Sequence, residues 1–186
     1  MSIVRNVNIY KINKVQKFFL NFLLIFQGVP IFMLLGKKKK LGREIEQISV
    51  GEKLTLTEKM EDKELLLYLG LTNDANPLYI QHDFASMTSF KKPVVPNIML
   101  TGIITSSISK YFPGPGSYIT RQEVEFIQPV YHYETITFLF VVREVHTLEG
   151  LLKVEVCAEN EAKELVVRAV ITVKAPEKMN YTDVGN

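Results

Sequence analysis

"NIMLTGIITSSISKYFPGPGSYITRQEVEFIQPV" (residues 97–130) changes its period halfway. The first half, Asn97 to Phe112, reads as a helix that is apolar on nearly every side, with small Gly102, Thr105, Ser106 and Ser109 among the Ile and Leu residues. A helix of that kind is enclosed by protein. Pro96 suits its first position, and "PGPG" at 113–116 ends it. From Ser117 onward the period becomes that of a strand.

Downstream the alternation recurs in "TITFLFVVREVHTL", "LLKVEVCAEN" and "ELVVRAVITVKAP", with breaks at 131–134, 149–150 and 160–163. One buried helix followed by four long strands is an α+β pattern: an antiparallel sheet has to wrap the helix to bury it. Upstream, "ISVGEKLTLTEKM" reads as an edge strand. Asp62 then caps a short helix over "KELLLYLGL". "TNDANP" is turn chemistry, and "LYIQHDFASMTSF" restarts as a second short helix, interrupted by "KKPVVP".

The chain has 186 residues, 47% of them hydrophobic and 23% charged, enough to fill the core of one ordinary domain. Its single cysteine, Cys157, excludes an intrachain disulfide and any cysteine-based metal cluster, so a reducing, cytoplasmic setting is the default. Cys157 lies in an apolar strand-like run and reads as buried filler. No Cys/His/carboxylate spacing suggests a metal, and no glycine-rich phosphate loop suggests a nucleotide cofactor.

The net charge of +2 is unevenly shared. Residues 1–40 carry eight basic side chains and no acid, while the remaining residues hold 14 basic and 20 acidic ones, a balance of −6. Nothing in that acidic body suggests a nucleic-acid surface. "FFLNFLLIFQGVPIFMLLG" (residues 18–36) is close to the roughly 20 apolar residues of a membrane span, although Asn21, Gln27, Gly28 and Pro30 interrupt it. Three readings stand for residues 1–40: an anchor with Lys37 to Lys40 on anionic headgroups, a chain that starts at Met33, or a helix packed on the domain or a partner. The domain itself is expected over 41–176, followed by a tail at 177–186.

"TNDANPLY", the short helix, "FKKPVV", the buried helix, "FPGPGS" and "EVEFIQPVY" together resemble the MaoC family of R-specific enoyl-CoA hydratases and dehydratases. The resemblance runs without gaps from about Thr72 to Gly116 and covers most of residues 42–175. It implies the hot dog fold and reversible hydration of a 2-enoyl thioester of CoA or a carrier protein. It also implies a homodimer. In that family an Asp and a His five residues apart hold one water as general base and acid, a role worth roughly 10²- to 10⁴-fold. Backbone N–H groups at the start of the central helix meet the thioester oxygen.

Carried over by position, the acid is Asp74 and the structural Asn-Pro is Asn76-Pro77. The histidine position holds Tyr79, the entrance to the helix is Pro96-Asn97 with donors at Asn97 and Ile98, and the small hydroxyl residue is Thr105. A phenol keeps its proton near neutrality and is a poor base, but it can orient water. His82 supplies an imidazole if it lies one turn along Tyr79's helix; otherwise it is a solvated side chain. Asp74 alone reads equally as an Asx-turn residue, and Thr105 as a small residue that lets the sheet approach. His132, in a turn, and His146, near a strand end, read as structural.

Two functions remain open. One is an enoyl-CoA hydratase-like enzyme with Asp74 as the main acid/base. The other is a hot dog module that binds acyl thioesters, or pairs with an active homologue, without turnover. A hot dog thioesterase is weaker, since residues 97–112 contain no Asp or Glu.

Overall fold

The structure, a computed structural model, describes residues 41–177. The segment expected as an anchor, the alternative start at Met33 and the tail beyond Glu177 lie outside the described residues. Five strands form one antiparallel sheet: β1 (Lys53–Lys59), β2 (Tyr118–Phe126), β3 (Thr135–His146), β4 (Leu151–Glu159) and β5 (Leu165–Lys174). Their spatial order is β1-β3-β4-β5-β2, so β1 is an edge, as its sequence suggests.

Period-2 patterning decides which face is inward. In β4 the buried residues are Leu152, Val154, Val156 and Ala158; β3 contributes Ile136, Phe138 and Phe140, and β5 contributes Val167, Ala169, Ile171 and Val173. Register shifts at Val142/Glu144 and Ile119/Arg121 bend the sheet. It closes over the long helix α4 (Asn97–Tyr111), which is preceded by α1 (Asp62–Thr72), α2 (Pro77–Ile80) and α3 (His82–Ser86). Leu100, Ile104 and Ile108 of α4 are buried in the same cluster as Phe138 and Phe140. Each fully buried Phe or Leu here contributes about 2–3 kcal/mol of transfer free energy.

The structure corrects five local expectations. The central helix is enclosed on one side only: Leu100, Thr101, Ile104, Ser107 and Ile108 are buried, while Ile98 is 53% exposed and Gly102 is open. One five-stranded sheet covers a single stripe, and the hydroxyls of Thr101, Thr105, Ser106 and Ser107 bond back to carbonyls of their own helix. Pro96 stands one residue before the helix rather than at its first position. Cys157 is half-buried rather than filler, because Val156 and Ala158 take the inward positions on either side of it.

Asp62 is the first residue of α1, not its cap. Its carboxylate accepts the Tyr133 hydroxyl, and His132 Nδ1 lies 3.3 Å from it. The 131–134 turn therefore competes for the carboxylate that would otherwise cap the helix. Finally, "LYIQHDFASMTSF" is two helices, not one. Gln81 is extended (φ −106°, ψ 105°) and separates Tyr79 from His82.

Candidate active site

Asp74 is set by two consecutive side-chain turns. Asn73 ends α1 in the left-handed conformation (φ 54°), which Asn tolerates, and reverses the chain. Asp74 Oδ1 then accepts the Asn76 N–H at 3.0 Å. Asn76 Oδ1 accepts the Leu78 N–H at 3.0 Å and caps α2, with Pro77 at its first position. The local sequence thus fixes the backbone on either side of Asp74 without tertiary help. The Asx-turn expected of an isolated aspartate exists, and it occupies only one carboxylate oxygen.

The other oxygen, Oδ2, accepts the hydroxyl of Tyr68 at 3.0 Å. Sequence reasoning missed Tyr68, which sits in "KELLLYLGL" and reads as one more apolar residue. Its phenol is pushed above the ordinary tyrosine range, first by burial and then by the bond to Asp74, with that carboxylate's charge adding to it against an opposing effect of Thr72. Tyr68 therefore stays protonated and acts as a donor to Asp74.

Tyr79, in α2, is half-buried and lines a cavity of about 360 Å³ with Leu78, Phe90, Val94, Val95 and Asn97 on one side and Phe126 to Pro129 on the other. Asn97 is the first residue of α4, so the cavity opens onto that helix start. Met99 N–H is already taken by Pro96 O at 2.9 Å. The N–H groups of Asn97 and Ile98 precede any intrahelical acceptor. The structure thus groups Tyr79 with Asn97 around one cavity, and Tyr68 with Asp74 at the end of α1.

Other expected residues stand apart from the cavity lining. Asn76 is exposed and spends its carbonyl on the cap. The Ile98 side chain points outward, and His82 opens α3, exposed. Thr105 donates to Thr101 O at 2.9 Å, about 12 Å along the helix from Asn97 at 1.5 Å per residue. His146 lies on the surface against Glu144. His132 is more than a turn residue: it is largely buried, and with Tyr133 it pins the first turn of α1. A larger hollow of about 480 Å³ between β1, α1 and α4 is lined by Glu58, Glu61 and Glu64 and carries no imidazole.

An antiparallel sheet of this order curled on one helix is the hot dog fold. An R-hydratase of Pseudomonas aeruginosa shares it at a TM-score of 0.69 and 23% identity, over 74% of this chain and 88% of that one. The chain belongs to the MaoC-like domain family, whose pattern matches residues 43–164. An (R)-specific enoyl-CoA hydratase of Rhodospirillum rubrum is 29% identical over 92 residues, which are 50% of this chain and 64% of that enzyme. An enzyme of the same name from Aeromonas caviae is 28% identical over 92 residues, covering 50% and 69%. The chain therefore spans less than two thirds of the first of these relatives.

Proposed function

We propose that the chain is an acyl-thioester hydro-lyase of the (R)-specific enoyl-CoA hydratase type, adding water reversibly across a 2-enoyl thioester in fatty-acid metabolism. One observation carries this reading: a doubly anchored Asp74 leads directly into Tyr79, and Tyr79 shares a cavity with the start of α4. Asp74 takes a proton from water as the oxygen bonds to the β-carbon. Charge moves to the thioester oxygen, which the Asn97 and Ile98 N–H groups meet, and the proton returns to the α-carbon. Tyr79 orients the water through its hydroxyl. The matched relatives are named as hydratases, which favours turnover over a bare binding module.

The test is loss of the conjugated-thioester absorbance of crotonyl-CoA, with Asp74→Asn beside the parent. We expect Asp74→Asn to lose at least about 10²-fold, the low end for a positioned acid/base. An Asp74→Asn variant as fast as the parent removes Asp74 from the chemistry. Silence in both folded proteins removes short-chain CoA hydration.

We further infer that residues 41–176 act as the domain and that it pairs into a homodimer. Support for pairing comes from the two open sheet edges, β1 and β2, and from Leu66 (64% exposed) and Leu71 (88% exposed) on α1. A monomer mass in light scattering would sink it. The lone Cys157 suits a reducing, cytoplasmic setting. No helix among the described residues is long and apolar enough to cross a membrane.

A further inference from the structure

We propose that Lys91 and Lys92 form the subsite for the phosphates of a CoA carrier, just outside the cavity lined by Tyr79 and Asn97; this rests on the thioester reading above. Both lysines are exposed, and they follow directly on Phe90, which lines that cavity. Residues 84–122 hold Lys91, Lys92, Lys110 and Arg121 and no acid, in a body whose balance over residues 41–186, these four included, is −6. Among the described residues no carboxylate pairs with Lys91 or Lys92. The other clustered cations differ: Arg121, Arg143 and Lys153 are each neutralised by a glutamate.

The dipeptide is also held in place. Lys91 adopts φ 67°, a left-handed turn that costs a side-chain-bearing residue about 1–2 kcal/mol and that glycine takes freely. The Lys92 ammonium lies 4.1 Å from the centroid of the Tyr131 ring. Tyr131 in turn donates its hydroxyl to Phe90 O at 3.3 Å and bridges Val94 through its backbone. Glu134 accepts the Tyr131 N–H at 3.1 Å on the far side of that ring's backbone. Tyr131 thus clamps both flanks of the pair, which lowers the ordering cost of binding.

Reach is suitable. Asn97 lies five positions after Lys92, a span of at most about 17 Å, which the pantetheine arm between a thioester and its phosphates can bridge. Ammonium groups serve phosphate as point charges. A nucleotide presents its phosphates to these two lysines alone, whereas an acidic carrier-protein surface would also meet the negative body.

The experiment compares crotonyl-CoA with the crotonyl thioester of N-acetylcysteamine, which has the same reacting end and no phosphate, using the full chain and its Lys91→Gln/Lys92→Gln variant. The ratio of kcat/KM for the two thioesters should fall about tenfold, the scale expected for two exposed charges, and should fall less in 0.5 M salt. A Lys→Arg pair should restore most of it. An unchanged ratio overturns the subsite. So does a fall seen only with a crotonyl carrier protein, which would make the lysines a protein-docking site. If neither thioester turns over, the hydratase reading fails separately, and calorimetric binding of CoA itself decides. Weaker binding by the variant supports the subsite, and equal binding overturns it.

Discussion

Replacing Tyr79 by histidine should raise hydration of crotonyl-CoA. A phenol holds its proton at neutral pH, whereas an imidazole is divided between its two forms and can both take and give one. A positioned acid/base group is worth about 10²- to 10⁴-fold, or about 3–5 kcal/mol of barrier. Two structural features put the gain at the low end, about 10²-fold. The imidazole ends nearer the backbone than the phenol oxygen, so it reaches less far into the cavity of about 360 Å³. Both oxygens of Asp74 already accept a hydrogen bond, from Asn76 N–H and from Tyr68, which leaves one lone pair on each for water. The assay is kcat/KM from the thioester absorbance between pH 6 and 9, with Tyr79→Phe beside Tyr79→His. A histidine variant no faster than the parent, alongside a phenylalanine variant at least tenfold slower, would refute this reasoning. It would mean that the phenol itself is the working group.

Three further outcomes follow from geometry. Tyr68→Phe removes the donor to Asp74 Oδ2 and should cost kcat about tenfold with KM little changed, since a half-exposed bond to a carboxylate is worth about 1–1.5 kcal/mol; steady-state kinetics read the split. Gly42→Ala should destabilise by about 2 kcal/mol, because its Cβ would lie 2.6 Å from Pro113 O and 2.7 Å from Gly114 C, both backbone atoms; urea denaturation should show a lower midpoint at constant slope. Cys157 should alkylate slowly at pH 7 to 8 and speed up only above the ordinary thiol range. Burial, with Glu155, pushes its thiol up against smaller opposing effects of Arg168 and Arg143, and the reactive thiolate therefore appears late.

The strands were readable because alternation and burial are the same fact in a one-sided sheet: "LLKVEVCAEN" gives inward Leu152, Val154, Val156 and Ala158 directly. The same signal misplaced Cys157, since an apolar outward residue looks like an inward one. The central helix was readable as an element but not as a surface. Its apolar residues outnumber what one five-stranded sheet covers, so Ile98 stays in solvent. The break at Gln81 carries no proline or glycine to announce it. Contacts across long separations were closed to pattern reasoning altogether. Asp62 meets Tyr133 across 71 positions, and nothing in "MEDKELLL" suggests a phenol or imidazole partner.

Tyr68 shows why the chemistry is harder to read than the frame. In "TNDANP" the side chains of Thr72, Asp74 and Asn76 each have a local backbone duty, and such duties are fixed by spacing alone: Thr72 to Tyr68, Asp74 to Asn76, Asn76 to Leu78. Asp74 would therefore be needed to shape this loop even in a chain that had stopped turning substrate over, so its presence says little about catalysis. What distinguishes a working site is the second oxygen and what faces it. Tyr68 holds that oxygen from the last turns of α1, and Tyr79, five positions after Asp74, lines the cavity at the start of α4. This also selects the variant. Asp74→Ala would free the Asn76 N–H and loosen the loop, confusing shape with chemistry. Asp74→Asn keeps a carbonyl oxygen for that turn and removes the negative charge, so a loss of turnover in a protein that still melts like its parent can be assigned to the missing carboxylate.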